Sequence, residues 1–160
     1  MTNKALEIHF GENNIDFYRS DVGDKYVLQK LVEKNWLLGG EPSGHIICLD
    51  SAPTGDAIIA ALKFLDAVKN DNFSIDKTLN NFKKFPQTLI NLKVDNPNNI
   101  ILSDKFWSEV TTIESILGND GRVLIRPSGT EPLIRIMVES KDSSTSENLC
   151  NSLAELALTL

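Results

Sequence analysis

At 160 residues the chain has room for one ordinary domain or two small ones, and its 16 basic and 22 acidic residues give a formal charge of −6. With no basic stripe either, that balance speaks against non-specific nucleic-acid binding. No apolar run is long enough to span a membrane and no signal-peptide pattern opens the chain. Two cysteines are too few for a disulfide framework or a zinc site. A soluble cytoplasmic protein is expected, with Cys48 and Cys150 as small buried hydrophobes.

In chain order, residues 3–12 read as a short helix and Ile15–Arg19 as a short alternating strand. From Asp24 to Trp36, Val27, Leu28, Leu31 and Val32 make one apolar stripe at helical spacing, with Lys30, Glu33 and Lys34 outside it. His45–Leu49 is a continuous apolar run, as expected of a strand buried on both faces. A helix to about Lys69 follows, with Thr54 as its N-cap. It is apolar nearly all round except for Asp56, Lys63, Asp66 and Asn70, so it is expected to pack deeply. Strand–helix alternation of this kind predicts an α/β unit with a parallel sheet. A fragmentary helix and one short strand are few elements with which to open such a sheet, so the reading expects truncation at the N-terminus.

The pattern changes between Asn80 and Gln87, where the domain boundary is placed, with hinge motion expected about residues 80–87. Thr88–Val94 alternates as a strand. A helix is predicted from Ser103 to Leu117, with Phe106, Val110, Ile113 and Leu117 on one face and Gly118 as its stop. A hairpin, a polar loop over Lys141–Ser146 and a last helix carrying Leu149, Leu153, Leu156 and Leu160 complete the chain. This half reads as a small α+β domain with a mainly antiparallel sheet.

The hairpin, Arg122–Arg135, carries the strongest chemical signal. Period-two patterning gives each strand one apolar face and places Arg126 and Arg135 on the other. Pairing Arg126 with Leu133 would make the two arginines diagonal neighbours, roughly 7–8 Å apart. Two guanidiniums that close repel unless an anion lies between them, and their planar forks suit phosphate oxygens. Ser128 and Thr130 add hydroxyl donors, and Gly129 leaves the backbone N–H groups open to a ligand. The rival reading is a surface hairpin whose arginines pair with Glu131 and Glu139. No Walker-type loop is present.

A second candidate is Gly39-Gly-Glu-Pro-Ser-Gly-His45. Here two glycines bracket Glu41, Ser43 and His45, a set suited to the vicinal hydroxyls of a sugar, which both donate and accept. Taken alone, this stretch reads better as a plain helix-to-strand loop.

Together, Gly-Glu-x-Ser-Gly-His and Arg-Pro-Ser-Gly-Thr-Glu-Pro-x-x-Arg resemble the α-D-phosphohexomutases over essentially the whole chain. Val22–Val27, Pro53–Asp56 and Phe85–Gln87 look most like the bacterial phosphoglucosamine mutase branch. The resemblance implies a truncated α/β/α domain three over 1–84 and an α+β domain four over 85–160. It implies a sugar-recognition loop at Glu41, Ser43 and His45, and a phosphate-binding loop at Arg126, Ser128, Gly129, Thr130 and Arg135. Asp24 and Lys25 become candidates for lining the cleft.

The reaction so implied interconverts glucosamine 6-phosphate and glucosamine 1-phosphate through a bisphosphorylated sugar. The family's catalytic serine and its magnesium-binding Asp-x-Asp-x-Asp loop lie in earlier domains, and neither motif occurs here. The chain is therefore expected to be inactive alone, to hold no metal, and to have the missing N-terminal domains and a hexosamine phosphate as partners. Two departures bear on this. Pro42 stands where these mutases commonly carry a polar amide, and Lys25 where many relatives carry arginine. The alternatives are half of a phosphomannomutase/phosphoglucomutase, a stand-alone non-catalytic phosphosugar-binding module, and a protein-interaction domain with vestigial loops.

Overall fold

A computed structural model describes residues 1–70 and 74–160, with the backbone alone at Asn70, Leu79 and Asn81. It divides into two compact units. The first holds Met1–Thr2 and Leu6–Lys83, the second Asn3–Ala5 and Lys84–Leu160.

Helix α1 (Lys4–Glu12), which belongs to the first unit from Leu6 onward, is followed by coil where a strand was expected over Ile15–Arg19. Those side chains pack back on the helix instead of pairing in a sheet. Arg19 Nε donates to Glu7 at 2.7 Å, its guanidinium reaches the Thr2 carbonyl at 2.5 Å, and the Phe17 ring lies 5.8 Å from that of Phe10. Helix α2 (Asp24–Lys34) forms where its stripe predicts and buries Leu31. It ends at Asn35, whose left-handed φ of 55° lets Trp36 N–H bond back to the Leu31 carbonyl at 2.9 Å.

The chain then makes a hairpin of β1 (Leu38–Gly40) and β2 (Ile46–Cys48), antiparallel, with Gly39 opposite Ile47. Gly39 is required there, since a Cβ would lie 2.5 Å from Val27 Cγ1 of α2. Strand–helix alternation predicted a parallel sheet, but the only sheet described in this unit is this two-stranded antiparallel one. A five-residue connection brings β2 back beside β1 directly, with no crossover helix between them. Ile47 and Cys48, which point to opposite faces of β2, are both buried, while Ile46 at its start is exposed.

Helix α3 (Ala57–Asn70) starts later than Thr54 predicts. Its cap is Asp56, whose carboxylate accepts the Ile58 and Ile59 N–H groups at 2.8 and 3.0 Å. Lys63 pairs with Asp50. The deep packing expected of α3 does not occur: Ile58, Leu62 and Leu65 are 73%, 61% and 60% exposed. A two-stranded hairpin can cover one side of a helix at most, whatever the helix's own composition. The Asn70 side chain of its predicted polar stripe lies outside the described residues. Helix α4 (Ile75–Asn81), capped by Ser74, closes the unit.

The second unit is built on β3 (Gln87–Lys93), β4 (Gly121–Pro127) and β5 (Leu133–Ser140), all antiparallel in the order β3-β5-β4. Central β5 is buried along nearly its whole length. Its Ile134, Ile136 and Val138 face Phe106, Val110, Ile113 and Leu117 of α6 (Asp104–Leu117) and Cys150, Leu153, Ala154 and Ala157 of α7 (Ser143–Ala157) in one core. Short α5 (Pro97–Ile101) adds Ile100. Burial raises the Cys150 thiol pKa above its ordinary range.

Ser103 caps α6, its Oγ accepting the Phe106 N–H at 3.2 Å. Asp142 caps α7, accepting the Thr145 N–H at 2.7 Å, so the helix starts inside the stretch expected to be loop. The α7 stripe is also turned by one position. Cys150, Ala154 and Ala157 join Leu153 inside, Leu149 and Leu156 flank them, and Leu160 is exposed. Small residues let the helix approach the sheet closely, so they take the inward line.

Candidate functional site

The arginine hairpin forms with a shift from the expected register. Arg126 pairs with Arg135, not Leu133, and Pro127 pairs with Ile134. A slip of two residues keeps every side chain on its face, so the arginines remain opposite the core but become direct cross-strand neighbours. Cβ atoms of such pairs lie about 4.5–5.5 Å apart, closer than the diagonal expected. Between them the loop Ser128–Pro132 is closed by Ser128 N–H on the Leu133 carbonyl at 2.9 Å. Within it the Thr130 N–H points at Ser128 Oγ at 3.4 Å, while Gly129 and Thr130 are exposed.

Neither arginine takes the carboxylate partner that the surface-hairpin reading requires. Buried Glu139 is occupied by Arg122, Nε to Oε2 at 2.7 Å and Nη2 to Oε1 at 3.1 Å, and by the Lys4 N–H at 2.8 Å. Arg135 Nε is buried without a hydrogen-bond partner. A buried charged donor in that state costs stability unless a ligand completes it. Two arginines paired across the strands, one with an open donor, have the charge and the donors that an anion could satisfy.

In the first unit, Glu41, Ser43 and His45 occupy the turn of the β1–β2 hairpin. The turn is closed by Glu41 N–H on His45 O at 2.9 Å and by Gly44 N–H on Glu41 O at 3.0 Å. Pro42 presets the turn, and Gly44 takes a φ of 95°. Ser43 Oγ lies 3.1 Å from His45 Nδ1 and 3.5 Å from the Glu41 carboxylate. His45 Nδ1 is also the ring nitrogen nearest Glu41, at 4.0 Å. A serine–histidine–acid relay needs the two partners on opposite ring nitrogens, so Ser43 is not an activated nucleophile here. The set offers a hydroxyl, an imidazole and a carboxylate to polyol oxygens.

Glu41 also accepts the Gly23 N–H at 2.9 Å, which ties the turn to the start of α2. Asp24 and Lys25 follow directly; Asp24 accepts the Lys25 N–H, and Lys25 Nζ sits 4.6 Å from the Tyr26 ring centre. The Gly23 contact has no signal in the spacing of the sequence. Among the described residues no three His, Cys, Asp or Glu side chains are grouped to hold a metal. Nor is any described helix long and apolar enough to cross a membrane.

Comparison with known proteins follows the same division. Residues 1–85 match the phosphoglucomutase/phosphomannomutase α/β/α domain III, and residues 89–156 match the C-terminal domain of that family. Curated relatives named phosphoglucosamine mutase include one from Janthinobacterium sp. (strain Marseille), 46% identical over 96% of this chain and 35% of the relative. Another, from Ralstonia pickettii (strain 12J), is 45% identical over 100% of this chain and 35% of its own length. The chain thus spans about a third of the length of the relatives it matches.

Among solved structures, N-acetylphosphoglucosamine mutase of Aspergillus fumigatus aligns with a TM-score of 0.82 at 16% identity, over 97% of this chain and 36% of that one. A phosphoglucomutase/phosphomannomutase family protein of Burkholderia thailandensis aligns with a TM-score of 0.69 at 22% identity, over 96% and 34%. At these identities the likeness speaks for the fold alone.

Proposed function

The chain belongs to the phosphoglucomutase/phosphomannomutase family, and from that membership we propose that it is the phosphosugar-binding part of a phosphoglucosamine mutase. The whole protein interconverts glucosamine 6-phosphate and glucosamine 1-phosphate through a bisphosphorylated sugar, supplying amino sugar for cell-wall precursors in the cytoplasm. Residues 1–84 act as domain three and 85–160 as domain four. The relatives' names carry the substrate assignment, and the cross-strand pair of Arg126 and Arg135, with the open Nε of Arg135, carries the site.

A mutase of this kind must hold the sugar by the phosphate that is not reacting. Arg126 and Arg135 grip that phosphate from two strands, and Ser128, Gly129 and Thr130 donate to its remaining oxygens. Glu41 and Ser43 take sugar hydroxyls, with His45 beside them and Asp24 and Lys25 at the edge of the turn. Anchoring the distal phosphate contributes to rate as well as affinity, because it positions the reacting end. The nucleophile and the magnesium ligands belong to the rest of the longer protein, so this chain by itself binds without turning over.

Calorimetric titration with glucosamine 6-phosphate tests this, with mannose 6-phosphate alongside. The expected result is saturable binding that favours the amino sugar and weakens by about 1.5–3 kcal/mol in Arg126→Ala. Binding unchanged in that variant would exclude the anchor. Equal or better binding of the mannose ester would move the assignment to a phosphomannomutase/phosphoglucomutase.

A further inference from the structure

Residues paired across the second unit's sheet share a face, so the face opposite the core can be read row by row. Gln87, Glu139 and Arg122 form the row farthest from the loop, and its cation is neutralised within the row. Leu89, Met137 and Leu124 form an apolar row. Next come Asn91, Arg135 and Arg126. Last, Lys93 pairs with Leu133, whose carbonyl holds Ser128 N–H at the start of the loop.

Charge is therefore uneven along this face. The two rows nearest the loop carry three cations, Lys93, Arg126 and Arg135, and no acid. Asp95 and Glu131, close in sequence, lie outside these rows and are exposed. Among the described residues no ion pair engages any of the three. Asn91 sits directly beside Arg135, whose Nε lacks a partner. Lys93 is exposed, one row on, about 6.5–7 Å along the strand and within reach of a lysine's flexible stem. A phosphate monoester carries about −1.5 to −2 charges at neutral pH, so two guanidiniums alone leave no positive surplus.

We infer that Asn91 and Lys93 of β3 belong to the anion site, which grips a phosphate monoester from three strands instead of the two that make the hairpin. This rests on the anion-site reading of the arginine loop and extends it. Lys93 supplies the third cation. The Asn91 carboxamide, with an acceptor oxygen and two donors, completes Arg135 Nε on one side and donates to a phosphate oxygen on the other.

The test is titration of the whole chain with inorganic phosphate at several salt concentrations. Variants are Arg126→Ala, Lys93→Ala, Lys93→Arg, Asn91→Ala and, on the exposed face of α6, Lys105→Ala. Positions 91, 93 and 105 are exposed, so these variants keep the fold, which melting curves verify. Lys93→Ala is expected to weaken binding about tenfold and to flatten its salt dependence, Lys93→Arg to restore most of it, and Asn91→Ala to weaken it several-fold. Lys105→Ala is expected to bind as the parent does. If Arg126→Ala abolishes binding while Lys93→Ala and Asn91→Ala match the parent, the inference falls and the two-strand site stands. If Arg126→Ala itself matches the parent, the underlying reading falls and takes this one with it.

Discussion

Residues that carry charge differ here chiefly in whether the fold has already neutralised them. Glu139 is fully buried, and Arg122 and the Lys4 N–H use its oxygens. Removing one member of such a pair leaves the other uncompensated, so Glu139→Ala is expected to cost about 3–5 kcal/mol in chemical denaturation. The joint replacement Arg122→Leu with Glu139→Leu should recover much of that, and recovery would separate a buried-charge penalty from lost packing. Asp142 illustrates pH dependence. Hydrogen bonds from Ser144 and Thr145 hold its carboxyl below the ordinary range, so the unfolded chain binds the proton more tightly. Its stabilisation of α7 is full above the ordinary carboxylate range and is lost as pH falls through the lower folded value. Asp142→Asn should therefore flatten the acid limb of a plot of Tm against pH, and an unchanged limb would remove Asp142 as a contributor.

At the scale of elements, burial tracks partners more than composition. Helix α6 turns Phe106, Val110, Ile113 and Leu117 onto the sheet, and Phe106→Ala is expected to cost about 3–5 kcal/mol. Helix α3 is the more apolar of the two by sequence, yet Leu62 is 61% exposed, so Leu62→Ala should stay within about 0.5 kcal/mol. Equilibrium urea unfolding of both variants decides whether the two helices differ in this way. The extents of α2 and α6 were legible because a 3.6-residue stripe ends where its caps begin. Hairpin register was not legible. Period-two patterning selects a face, and a slip of two residues leaves the face unchanged while it moves Arg126 from Leu133 to Arg135.

Across the whole molecule, the division into units does not follow chain order alone. Asn3–Ala5 group with residues 84–160. Asn3 Nδ2 donates to the Phe85 carbonyl at 3.1 Å, and its Oδ1 accepts the Phe85 N–H at 3.0 Å. Asn3→Ala is therefore expected to lower the stability of the second unit by about 1–2 kcal/mol, read from hydrogen exchange at the β5 amides. Protection there equal to the parent's would show that the N-terminal segment adds nothing. Sequence by itself determined most helices and the shared face of Arg126 and Arg135, because apolar periodicity and turn chemistry are local properties. Only the tertiary structure decided the antiparallel pairing of β1 with β2, the exposure of α3, the hold of Glu139 on Arg122, and the placing of Asn91 beside Arg135. The last three depend on which distant surface arrives to cover or pair a group, and no local pattern encodes that.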